Sequence, residues 1–182
     1  MGMCIIEGNR GRTLVGLDRH EEAWMNSIPL FKILAMNTYD LGINQKMPYE
    51  ERLNRIYKYL NEVIPDGMQF TDILVESQYN EKKLARGATT AGNYFHTNFE
   101  ALGISHIILG MMRERYPNAR TRSVAPPTTK MIKGPKHVRK NEIIRRGEVV
   151  LKYKFPSMWE QLKYHPSIEH CIEAMFMCIQ GL

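Results

Sequence analysis

The sequence predicts an α/β fold built on a mixed sheet, and three observations predict it. Two short apolar runs near the start are joined by turn residues, a strand-like run "TDILVE" follows directly on an amphipathic helical segment, and helical and strand patterns alternate from there on. With 182 residues, 43% of them hydrophobic, the chain is read as one domain covering 1–182.

The elements follow in order. "MCIIE" (3–7) and "TLVGL" (13–17) read as strands of a hairpin, because Gly8, Asn9 and Gly11 in the link "GNRGR" permit the positive φ of a tight turn. A third strand around "SIPLFKI" is confined to an edge or a strand end by Pro29, which cannot donate to a ladder. From Tyr49 to Ile64, Leu53, Ile56, Leu60, Val63 and Ile64 recur at helical spacing, with Glu50 and Glu51 in the first turn where the helix dipole favours acids. "PDG" stops that helix and "TDILVE" follows as a buried strand. The segment 85–117 reads as helical with a glycine-containing interruption, its second half amphipathic through Phe99, Leu102, Ile107, Ile108 and Met111. "ARTRSV" is a further strand closed by Pro126 and Pro127, a basic segment occupies 130–155, and a helix runs from about Ser167 to Gln180.

Charge is unevenly placed. The net charge is +6, yet 113–154 alone holds 13 lysines and arginines against three glutamates, an excess of +10, so the remainder is near −4. Such asymmetry fits a polyanionic partner, because each cation placed on a phosphate releases counterions; a solvated basic face without a ligand is the alternative. The cysteines, Cys4, Cys171 and Cys178, are odd in number and widely spaced, which suggests neither a disulfide framework nor a zinc knuckle and fits a reducing, intracellular compartment. No run reaches the roughly 18 apolar residues of a membrane span, and the first residues lack a signal-peptide core, so a soluble protein that is not exported is expected.

Functional groups in mixed α/β sheets gather at strand ends. Glu7 ends the first strand and Glu76 a central one. On the last helix, Glu169 and Glu173 are four apart and His170 and Glu173 three apart, so they share a side. Ile168, Cys171, Ile172, Met175, Phe176 and Ile179 form the apolar stripe opposite. Clustered carboxylates self-repel unless a proton or a cation neutralises them, and hard oxygen ligands suit Mg²⁺ or Mn²⁺. The alternative is an i,i+4 pair on the exposed face of an amphipathic helix. His20, His96, His106, His137 and His165 show no metal spacing, and His106, on the apolar side of its helix, is read as a core neighbour.

Taken together, "IIEGNRG", "ILVESQ" after an amphipathic helix, "RSVAPPTTK", a lysine-rich stretch and a terminal acidic helix resemble the RuvC-like Holliday junction resolvases, especially their poxviral and mitochondrial branch. The similarity covers almost the whole chain in order, and "ILVESQ" is its most specific element. The resemblance implies an RNase H-like fold, a five-stranded mixed sheet flanked by helices. It also implies Mg²⁺- or Mn²⁺-dependent paired nicking of a four-way DNA junction by a homodimer, in a cytoplasmic or viral replication compartment. A junction's approximate two-fold symmetry agrees with a two-fold enzyme, whose apolar surface the long helical region and the Met-rich terminal helix would furnish.

Carried over by the resemblance, Glu76 is the second-strand carboxylate and Gln78 the following glutamine. Glu173 is the final acid, and either Glu169 or His170 is the group before it. Glu7 falls where the family has a leading Asp, with Asp18 as the second choice. Glu7, Glu76, Glu169 and Glu173 would then hold the ions, with His170 beside them. Lys130, Lys133, Lys136, Arg139, Lys140, Arg145 and Arg146 would hold DNA phosphates, one lysine stabilising the pentacoordinate phosphate, and Tyr94 and Phe95 would wedge at the open centre or lie in the core. All four of these carboxylates are Glu, and each added methylene displaces a ligand by more than the roughly 0.5 Å that a preorganised site tolerates. Either the site has readjusted, or the fold has kept its shape as a nucleic-acid-binding or structural protein and lost the chemistry.

Overall fold

In the computed structural model the described residues are 2–8, 31–38, 47–76, 92–124 and 136–181, the side chains of 92–102, 136–139 and 180–181 excepted. They form four strands and five helices: β1 Gly2–Gly8, β2 Phe31–Thr38, α1 Tyr49–Val63, β3 Asp72–Glu76, α2 Gly92–Arg115, β4 Arg120–Val124, α3 Lys136–Lys154, α4 Pro156–Leu162 and α5 Ile168–Gly181. The fold is α/β. Its described strands make two two-stranded ladders, β1 with β2 and β3 with β4. The chain divides into two compact units, Met1–Asp40 with Pro126–Leu182, and Leu41–Ala125.

In the first unit β1 pairs antiparallel with β2, from Gly2 opposite Thr38 to Gly8 opposite Phe31, with a register shift between Ile5 and Ile6. The register leaves Leu34 as the extra residue of β2, and its side chain is half exposed. The expected hairpin strand 13–17 lies outside the described residues, and 31–38 supplies the ladder partner seen. The expected strand around "SIPLFKI" overlaps β2 at 31–33, and Pro29 lies outside the described residues.

Helix α5 and helix α3 build the core against this ladder. Cys171, Ile172, Met175, Phe176 and Ile179 of α5 and Ile143, Val150 and Leu151 of α3 are almost fully buried. Cys4, Ile6, Phe31, Ile33 and Met36 pack on them from the strands. Phe31 and Phe155 stack with ring centres 5.3 Å apart. Gly147 is what lets α3 approach, since a Cβ there would collide with the side chain of Ile172. Gly2 plays the same part for β1, lying against the carbonyl of His170.

The basic segment, which carries no predicted element, is a helix. Its inward positions 143, 147, 150 and 151 follow helical period, but a glycine holds one of them and cations fill much of the sequence between them. Pro156 ends α3, because it has no N–H to extend the ladder of hydrogen bonds, and it serves as the first residue of α4.

The second unit is a parallel β–α–β arrangement. β3 and β4 pair in parallel from Asp72 opposite Arg120 to Glu76 opposite Val124, with α2 as the connection. The ladder is fastened at its start by Arg120, whose guanidinium donates from Nε (2.7 Å) and Nη2 (2.6 Å) to Asp72 Oδ1. α1 buries Ile56, Tyr59 and Leu60 as one stripe, together with the guanidinium-bearing Arg52, which donates to the Met47 carbonyl at 2.9 Å. The turn after it uses Gly67 at φ +78°, a left-handed conformation that favours glycine.

α2 runs unbroken through Gly103 and Gly110 from Gly92 to Arg115, so the predicted interruption does not fall within those limits. Gly103 sits beneath the Tyr49 hydroxyl, where a side chain would not fit without displacing it. Buried Ser105, Ile108, Leu109 and Met112 mark the inward side of α2; His106 is exposed, one position off that side, and is not a core neighbour as expected. Among the described residues, no helix is long and apolar enough to cross a membrane.

Candidate functional site

The acidic trio on α5 comes together as its spacing requires. His170 stands between the two glutamates, its Nδ1 3.6 Å from Glu173 Oε2 and its Nε2 3.9 Å from Glu169 Oε1. The apolar stripe of the same helix faces the core, so these three form its outer shoulder, with Glu173 the most covered at 15% side-chain exposure. A cation already stands at the cluster. Lys140 reaches across from α3 and places Nζ 3.0 Å from Glu169 Oε2. A like-charged pair needs a neutralising partner, and here the lysine supplies it together with His170 when that ring is protonated.

Glu7 is placed elsewhere in the unit. It sits opposite Lys32 in the ladder, with Oε2 3.9 Å from Lys32 Nζ and both side chains largely exposed. The packing of β1 on α5 sets the direction. Gly2 touches the His170 carbonyl, and the Cys4 carbonyl accepts a hydrogen bond from Cys178 Sγ at 3.2 Å, so strand and helix run in the same sense. α5 rises about 12 Å from His170 to Cys178, and Glu7 lies about 10 Å beyond Cys4 along the strand. Its direction of travel is away from Glu169 and Glu173.

Glu76 belongs to the second unit, at the end of β3 as expected, half-buried, with its carbonyl accepting from the Ser105 hydroxyl at 3.2 Å. Gln78 and Asp18 lie outside the described residues, and Tyr94 and Phe95 are placed in the first turn of α2 by their backbone.

The proposed phosphate ligands divide in the same way. Lys130 and Lys133 lie outside the described residues, and Lys136 and Arg139 open α3. Lys140 is held by Glu169. Arg145 and Arg146 are both drawn to one acid of their own helix, Glu142, with Arg145 Nε and Nη2 at 3.0 and 2.9 Å from its two oxygens and Arg146 Nε on Oε1. The hydrogen bond from Arg145, helped by that from Arg146 and by both charges, outweighs partial burial and holds the Glu142 carboxyl at about 2, below its ordinary 4.5. Arg145 keeps 51% of its side chain exposed and Arg146 only 12%. Lys152 and Lys154 at the far end of α3 are exposed. The sequence count of cations therefore overstates what α3 offers a ligand, and the signal was present in Glu142, three and four residues before two arginines.

Among the described residues, no group of three or more His, Cys, Asp or Glu is disposed to hold a metal ion. Of the candidate ligands in the first unit, Glu169 pairs with Lys140 and Glu7 lies 3.9 Å from Lys32. Comparison with protein-family models, with curated proteins and with solved structures gave no match.

Proposed function

We propose that the chain is a DNA-binding protein that engages phosphates through the outer, cationic face of α3. The observation that carries this reading is the division of that helix. Ile143, Gly147, Val150 and Leu151 turn into the core, while the half-exposed Arg145 and the exposed Lys152 stand away from them. Cations fixed on a packed helix hold DNA in register without reading its sequence. The resemblance to RuvC-like resolvases supports branched, four-way DNA as the ligand, bound by a homodimer.

A second reading, metal-dependent nicking of the junction with Mg²⁺ or Mn²⁺, is favoured by the convergence of Glu169, His170 and Glu173. It requires Lys140 to release Glu169.

A labelled four-way junction incubated with the purified chain, with and without Mg²⁺ or Mn²⁺, tests both readings. The first predicts a retarded complex that weakens steeply with salt, with the strands intact. Paired nicks abolished by Glu173→Gln and by Glu76→Gln would establish the second. Failure to bind the junction at low salt would overturn both.

A further inference from the structure

The three cysteines, scattered at positions 4, 171 and 178, meet on one seam. Cys4 is on the face of β1 that packs on α5, and Cys171 and Cys178 are two turns apart on that helix. Cys178 Sγ donates to the Cys4 carbonyl oxygen at 3.2 Å, which holds the two residues side by side. Both are half-buried, whereas Cys171 has no exposure at all.

We propose that Cys4 and Cys178 form a reversible disulfide that fastens β1 to α5, made by thiol–disulfide exchange with a small-molecule disulfide. The Cys178 thiolate attacks one sulfur of the oxidant and expels the other as a thiolate, leaving a mixed disulfide on Cys178. Cys4, giving up its proton, then attacks the Cys178 sulfur and expels the second small thiolate. Two cysteine thiols lose two electrons, the oxidant becomes two small thiols, and the two protons released from the protein end on them.

The order of attack follows from the surroundings. The hydrogen bond from Cys4 holds Cys178 below the ordinary thiol value in spite of burial. The same bond, with burial and the neighbouring cysteines, holds Cys4 well above it. Cys178 is therefore the entering nucleophile and Cys4 the resolving thiol. The bond would close a loop spanning nearly the whole chain, and it involves none of the groups assigned to DNA, so it stands or falls separately from the binding reading.

The experiment treats the native chain with oxidised glutathione and reads intact mass and a non-reducing peptide map. The expected product has two hydrogens fewer, carries no glutathione, links Cys4 to Cys178, and reverts with dithiothreitol. Its denaturant midpoint lies above that of the reduced chain. Cys171→Ser forms the same bond, and Cys4→Ser stops at glutathione on Cys178. A stable glutathione adduct on the wild-type chain, or a Cys4–Cys171 link, would overturn the proposal. So would an inert native chain whose three thiols all react once it is unfolded.

Discussion

Helices α3 and α5 share one core and differ in everything that faces away from it. α5 carries a continuous stripe of large apolar residues and an acidic shoulder. α3 buries Ile143, Val150 and Leu151 beside a glycine, and surrounds them with cations. The two surfaces meet where Lys140 holds Glu169. The lesson is that part of each charge pattern is spent within the fold: Glu169, which looks like a metal ligand, holds Lys140, and Arg145 and Arg146, which look like phosphate ligands, hold Glu142.

The largest effect should come from the face the helices have in common. Phe176, 1% exposed and central to α5, should cost about 3–5 kcal/mol when changed to alanine, because the cavity is lined by both helices and cannot collapse without parting them. Urea unfolding followed by circular dichroism measures it. A loss below about 1 kcal/mol would mean that the two helices do not share one core.

That shared core was only half legible in the sequence. α5 could be read because Ile172, Met175, Phe176 and Ile179 repeat at helical spacing with no competing signal. α3 could not, because Gly147 breaks its apolar stripe at the position where Ile172 must approach, and Arg145, Arg146 and Lys152 dominate the pattern. β3 was legible from its apolar run and the "PDG" before it, β4 from the prolines that close it, and β2 overlaps the predicted strand "SIPLFKI" at 31–33. For the site, Glu169, His170 and Glu173 were legible from spacing along one helix. The ion pairs of Glu7 with Lys32 and Glu169 with Lys140, like the meeting of Cys4 with Cys178, are set by packing between elements, which no local period encodes.

A smaller effect sharpens the same contrast through pH. The carboxyl of Glu142 titrates lower in the fold than in the unfolded chain, so its contribution is complete above pH ~4.5 and is lost as pH falls toward about 2. Arg145 is half exposed, so solvent screens its pair with Glu142 to about 0.3–1 kcal/mol. Glu142→Gln should remove that much stability at pH 7 and flatten the acid limb of the stability profile. It should also free Arg145 for phosphate and tighten binding to the junction a few-fold. Unchanged binding would mean that Arg145 does not touch DNA.

Whether the outer face of α3 holds DNA phosphates is tested most directly by the salt dependence of junction binding in wild type and in the double variant Arg145→Gln, Lys152→Gln. The wild type should show a linear fall of log affinity with log salt. In the variant the slope should be shallower by about 0.9 for each phosphate that the substituted side chains no longer neutralise. Identical slopes and affinities for the two proteins would mean that this face does not touch the DNA.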